Sequence, residues 1–130
     1  MFVDASVIVA ILTEESDGPE LSSRIQQADA LFTSPVAFFE AVSSVARKEQ
    51  LSIPVVASEV QLFLDQARIE TRPISQDTGH AALAASARYG KGSGHPARLN
   101  LGDCFAYAMA KQHGAPLLYK GDDFSQTDLA

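Results

Sequence analysis

A chain of 130 residues, 46% of them apolar, is long enough to form one compact domain with its own core, without disulfides or structural metal. The single cysteine, Cys104, excludes a disulfide framework and a thiolate metal site, and no apolar run approaches the roughly 20 residues that span a bilayer. Sixteen acids against ten bases give a formal charge of -6, an odd balance for a nucleic-acid binder but one that suits a site gathering carboxylates around divalent cations.

Nothing basic and no cleavage site precedes the first apolar residues, so the expectation is a soluble, cytoplasmic protein without a signal peptide. Phe2-Val3 reads as a short strand broken by Asp4-Ala5-Ser6, and Val7 to Leu12 as a short buried helix. Ser16-Asp17-Gly18-Pro19 is turn chemistry, followed by a modest helix over Leu21 to Ala28 and a second strand over Ala30 to Thr33. Ser34-Pro35 is a strong helix start; that helix runs to about Glu49 and is expected to bury Phe38, Phe39, Val42, Val45 and Ala46.

An amphipathic helix is expected from about Val55 to Ile69 after Pro54, a third strand over Thr71 to Ile74, and an alanine-rich helix over Asp77 to Tyr89. Gly90 to Leu101 holds Gly90, Gly92 and Gly94 with Lys91, His95 and Arg98, and reads as a basic loop. Gly102 to His113 is a largely apolar helix closed by Gly114, and Leu117-Leu118-Tyr119 is the last strand, with a turn at Gly121-Asp122-Asp123-Phe124. Strands alternating with helices predict an α/β domain spanning residues 1–130, its parallel sheet covered on both faces.

In such sheets function collects at the carboxyl ends of the strands. Asp4 ends the first strand, Asp122 and Asp123 follow the last, and Asp103 opens a buried helix. Taken singly, Asp4 and Asp103 read equally well as helix-capping acids, and Asp122 and Asp123 as turn residues. Glu40 falls near Val36, Ser43 and Arg47, off the main apolar stripe, where a solvated glutamate and a cleft-lining one share the same face.

Together these acids form a set of hard oxygen donors suited to Mg2+ or Mn2+, ions that polarise a phosphodiester and lower the pKa of bound water. No rival constellation competes with them. Cys104 sits in an apolar helix and reads as an inert core thiol. His80, His95 and His113 lack metal-ligand spacing, and Gly-Lys-Gly-Ser-Gly lacks the Gly-Lys-Ser/Thr ending of a phosphate-binding loop.

The ordered set Asp4, Glu40, Asp103 and Asp122/Asp123 resembles that of a PIN domain, and Met-Phe-Val-Asp-Ala-Ser resembles the family's first-strand motif. The stretches Tyr89 to Ala108 and Leu117 to Asp128 are similar to a subgroup of VapC toxins from bacterial toxin–antitoxin pairs, and the likeness covers essentially the whole chain. The resemblance implies a three-layer α/β/α sandwich with a central parallel sheet and a Mg2+- or Mn2+-dependent endoribonuclease. It further implies inhibition by a VapB-type antitoxin and a homodimer. Asp4 and Asp103 would be the principal metal ligands, with Glu40 joining directly or through water, and Ser6 would orient Asp4. Two departures stand out: Ala5 follows Asp4 where threonine is common, and Gly121 occupies a position where many PIN domains carry an acid. Asp123, beside Phe124, fits the subgroup pattern better than Asp122.

The expected chemistry is attack of metal-activated water on RNA, with Lys91, His95, Arg98, Arg47 and Lys48 as candidates for the RNA backbone. A receiver-type signalling domain would carry paired acids after the first strand and Lys-Pro after the last, whereas here Asp4 is single and Gly121 follows Lys120. A haloacid-dehalogenase-type phosphatase would need Asp-x-Asp, and position 6 is serine. A catalytically silent PIN-like module that only binds a partner is the remaining alternative.

Overall fold

The computed structural model describes all residues, 1–130, as four strands and six helices in the order β1 (Phe2–Val3), α1 (Ala5–Leu12), α2 (Gly18–Gln27), β2 (Leu31–Thr33), α3 (Pro35–Glu49), α4 (Ile53–Gln66), β3 (Ile69–Thr71), α5 (Gln76–Tyr89), α6 (Leu101–Gln112) and β4 (Leu117–Leu118). The strands form one parallel sheet in the order β3-β2-β1-β4. Phe2 is in register with Phe32 on one side and Leu117 on the other. The chain steps outward from β1 to β2 to β3 and then returns across β1 to β4. Parallel crossovers are right-handed, so this reversal sends α5 and α6 to the opposite face from α1 to α4. The result is the expected α/β/α sandwich. The reversal also opens a crevice above the carboxyl ends of β1 and β4, where ligands of open α/β sheets bind.

The strands are short because they are wholly interior: both residues of β1 and both of β4 are buried, so each reads as an apolar pair rather than an alternating stretch. Thirty-two buried apolar residues form one contiguous core around Phe2, Phe32, Leu118 and Met109. Helix α3 starts where Ser34 accepts a hydrogen bond from the Ala37 amide (3.1 Å), with Pro35 in the first turn.

Three local expectations are corrected. The third strand is Ile69–Thr71, not Thr71 to Ile74, because α4 stops at Gln66 and Arg68 turns left-handed (φ +57°), freeing Ile69 to pair with Leu31. Periodicity cannot see a left-handed arginine. Helix α2 begins at Gly18, with Pro19 inside its first turn rather than in a preceding loop. Phe39 is not buried but 72% exposed, since the inward stripe of α3 is Ala37, Ala41, Val42, Val45 and Ala46, and Phe39 lies about 200° around the helix from Ala37. The basic loop after α5 is closed at its base by backbone bonds between Leu99 and both Tyr89 (2.8 Å) and Lys91 (3.0 Å), with α6 starting at Leu101.

Candidate active site

Asp4 stands at the junction of β1 and α1. Its amide donates to the Leu118 carbonyl (3.0 Å), extending the β1–β4 pairing by one residue, and its side chain caps α1. Asp4 Oδ2 accepts from the Ser6 amide (3.0 Å) and the Ser6 hydroxyl (2.6 Å). The same hydroxyl accepts from the Lys120 amide (3.0 Å), so Ser6 ties Asp4 to the chain leaving β4. Burial raises the Asp4 pKa, opposed by the bonds from Ser6 and the Ala5 amide, while the charge of Asp123 pushes it up further.

Asp103 occupies the third position of α6, in a reciprocal cap with Asn100. Its amide donates to Asn100 Oδ1 (2.8 Å), and its Oδ2 accepts from the Asn100 amide (3.0 Å). Its Oδ1 accepts no protein hydrogen bond. Burial is the main reason its pKa rises to about 6; Asp123 and Asp4 add to the rise, while the Asn100 amide and the Lys91 charge oppose it. Capping and site membership are therefore not alternatives for Asp4 and Asp103, since the capping bonds fix where the carboxylates stand.

Glu40 projects from α3, half-buried, with no hydrogen bond and no ion pair. Desolvation, then Asp4 and Asp103, push its pKa up to about 7. Its carboxylate fills the space that a side chain at Gly102 would need. Gly102 is thus a site residue that the sequence reading missed. The available signal was a glycine inside the first turn of a helix, where alanine is the better helix former.

The two acids after β4 separate. Asp123 is exposed, but its charge raises both Asp4 and Asp103. Asp122 is exposed too, exerts no such effect, and its carbonyl accepts from the Ser125 hydroxyl (2.6 Å) in a turn. Gly121, where related domains place an acid, has φ +94°, a conformation that favours glycine.

Among the basic candidates, Lys91 is exposed and close enough to Asp103 to lower its pKa. His95 supports the loop: its ring meets Tyr89 edge-on at 4.8 Å, and its Nδ1 accepts from the Ala97 amide (3.1 Å). Arg98 is exposed with φ +49°, and Arg47 is exposed in the last turn of α3. Lys48 donates to Thr13 Oγ1 (2.7 Å) and lies 3.8 Å from Glu15, past the far end of α1 from Asp4. The largest cavity, about 700 Å3 and lined by Ile25, Phe63, Arg68 and Arg72 among others, contains none of the candidate acids. Asp4 and Asp103 are buried, 7% and 8% exposed, and Glu40 is half-buried beside them.

As the side chains stand, no three acidic, histidine or cysteine groups close around one point. The donor set nevertheless fits a hard dication. Its donors are all carboxylate oxygens, they raise one another's pKa, and none belongs to any of the five ion pairs in the molecule. Mg2+ binds through one or two carboxylates and keeps several waters, so a closed cage of three is not required.

The profile described as the PIN domain matches residues 1–129. The chain is 48% identical to a VapC ribonuclease of Rhizobium meliloti (strain 1021), covering 98% of both chains. It is 38% identical to ribonuclease VapC42 of Mycobacterium tuberculosis (strain H37Rv), covering 99% of this chain and 96% of the relative. Among solved structures, the fold matches Mycobacterium tuberculosis VapC20, described as a sarcin–ricin-loop-cleaving toxin, with a TM-score of 0.74 at 13% identity over 95% of this chain and 92% of that one. It also matches a chain of a toxin–antitoxin complex from Klebsiella pneumoniae, with a TM-score of 0.72 at 17% identity over 98% and 92% of the two chains. With the fold and these relatives in agreement, this chain belongs to the PIN-domain family, within its VapC group.

Proposed function

We propose that this chain is the ribonuclease toxin of a VapBC-type pair, an endonuclease that hydrolyses RNA phosphodiesters using Mg2+ or Mn2+. The observation that carries this reading is that Asp4, Glu40 and Asp103 stand near enough to raise one another's pKa while none of them belongs to an ion pair. Curated relatives of nearly the same length bear the name VapC ribonuclease, and one structural neighbour comes from a toxin–antitoxin complex. A VapB-type antitoxin is accordingly the proposed partner, and a homodimer the proposed assembly.

Asp4, Asp103 and Glu40 would hold the ion, Glu40 directly or through water. When bound, the ion would supply a water of lowered pKa and polarise the scissile phosphate. The chain's own groups do the rest. Ser6 holds Asp4 in a single orientation through its two short contacts. Asn100 does the same for Asp103. Glu40, which makes no hydrogen bond or ion pair of its own, would accept the proton that an attacking water gives up where it meets the ion through water. Asp123 completes the acidic rim, and Lys91 offers a cation to the RNA backbone beside it.

The test is cleavage of a structured-RNA pool by purified protein with Mg2+ or Mn2+ and with EDTA, beside Asp103→Asn. Metal-dependent cutting that disappears in the variant is the expected result. Cutting that persists in EDTA or in Asp103→Asn overturns the assignment.

A further inference from the structure

The acid that completes the rim is carried by the least regular part of the chain. Residues 121–130 contain no helix or strand, only turns, yet Asp123 must stand where its charge reaches Asp4 and Asp103. Three anchors hold this segment. Phe124, next to Asp123, is 1% exposed and packs edge-on against Tyr119 at 5.1 Å. Thr127 donates its hydroxyl to the Phe124 carbonyl (2.8 Å) and accepts from the Leu129 amide (3.2 Å), which folds the intervening residues into a compact unit.

The third anchor lies on α6. Asp128 Oδ1 accepts from the Tyr107 hydroxyl (2.7 Å), with the Tyr89 hydroxyl at 3.5 Å from the same oxygen, and Asp128 Oδ2 pairs with Lys111 Nζ at 2.9 Å. Asp103, Tyr107 and Lys111 are spaced i, i+4, i+8, so they share one stripe of the helix, spanning about 12 Å. The segment therefore runs beside the same stripe that presents Asp103, with Asp123 near its start and Asp128 fastened further along. Tyr107 is buried, whereas Asp128 and Lys111 lie at the surface, so the Tyr107 hydroxyl is the shielded end of this contact.

We propose that the Tyr107–Asp128–Lys111 contact is a latch that holds the segment after β4 against α6 and thereby sets Asp123 beside Asp103, making Tyr107 and Asp128 positioning residues of the carboxylate site. This rests on the reading that Asp123 belongs to that site. Tyr107→Phe removes one hydroxyl and keeps the ring, so the core that surrounds it persists.

The test compares the parent, Tyr107→Phe, Asp128→Ala, Asp128→Asn, Asp123→Asn and the double variant Tyr107→Phe/Asp123→Asn, all checked for intact far-UV circular dichroism. In the metal-free protein, Tyr107→Phe is expected to lower the amide order parameter of Asp123 from about 0.85 toward 0.6. By calorimetry, Tyr107→Phe and Asp128→Ala are expected to weaken Mn2+ binding about tenfold, the scale of a supporting contact to a metal ligand. Asp128→Asn, which still accepts from Tyr107, is expected to recover much of the loss. In the Asp123→Asn background, Tyr107→Phe should cost nothing further, because the two changes act through one group. An unaltered Asp123 order parameter in Tyr107→Phe, or an equal loss of Mn2+ affinity in both backgrounds, overturns the latch. Asp123→Asn binding Mn2+ like the parent overturns instead the reading on which the latch rests.

Discussion

The two ends of α1 carry the same residue types in opposite states. Past its C-terminal end, Glu15 and Asp17 are met by Lys120 at 2.9 and 3.0 Å, and Lys48 stands 3.8 Å from Glu15. At its N-terminal end, Asp4 is buried with Glu40 and Asp103 for company and takes part in no ion pair. The first set is paired by cations of the chain itself. The second is left electrostatically unfinished, and burying like charges together without a partner is costly enough that their pKa values rise instead. The acids without an ion pair are the ones proposed to take a metal ion, while those already paired serve structure.

The largest expected break in this contrast is Asp103→Asn. It is expected to reduce RNA cleavage by at least about a thousandfold, the upper range for loss of one electrostatic stabiliser. The amide oxygen still accepts from Asn100, so the metal-free melting temperature should not fall below that of the parent. Next is Gly102→Ala. A methyl group there needs the space of the Glu40 carboxylate, which is a flexible side-chain end and moves rather than unfolding the helix. Cleavage should drop by up to about a hundredfold, as for an ångström-scale misplacement, with circular dichroism unchanged. Ser6→Ala removes the hydroxyl that orients Asp4 and ties it to Lys120, and is expected to weaken Mn2+ affinity by about ten- to a hundredfold in calorimetry.

The pH response sharpens the comparison further. Glu40 and Asp103 titrate at about 7 and about 6 in the folded chain, above their ordinary values of 4.5 and 3.8, so the folded state binds their protons more tightly than the unfolded one. Stability from these groups is full below about pH 4 and is lost as pH rises through 6 and 7. The metal-free melting temperature is therefore expected to fall over this interval at the α1 N-terminal site. Mn2+ should raise it more at pH 7 than at pH 5, because Asp103 is then largely ionised and Glu40 about half so. A metal shift that does not grow from pH 5 to pH 7 would contradict this. The smallest effect is expected at the other end of α1: Lys120→Met should lower the melting temperature slightly and leave the cleavage rate unchanged, since only its backbone amide touches Ser6.

Much of the site was legible in residue order. Asp4 after an apolar pair, Asp103 opening an apolar helix and Ser34-Pro35 setting the register of Glu40 all follow from local signals, and Asp4 and Asp103 lie at element ends as expected. The fold class followed from alternation alone. What failed to show was non-local. Periodicity put Phe39 inside because it made a plausible stripe with Phe38, Val42, Val45 and Ala46, and only the packing of α3 shows that alanines face inward there. The third strand was displaced because a left-handed Arg68 has no sequence mark. Gly102 was passed over because its partner, Glu40, is 62 residues away in the chain.

The sequence by itself determined the element order, the capping residues and which acids were available, because strand pairs, helix starts and turns are set by short-range sterics and hydrogen bonding. Tertiary structure decided which acids meet. The return of the chain across β1 to β4 brings Ser6 to Lys120, the approach of α3 to α6 lays Glu40 over Gly102, and the turns after β4 leave Asp123, not Asp122, within electrostatic reach of Asp103. Such contacts join residues far apart in the chain, and charge, burial and space are shared there between elements that no local pattern relates.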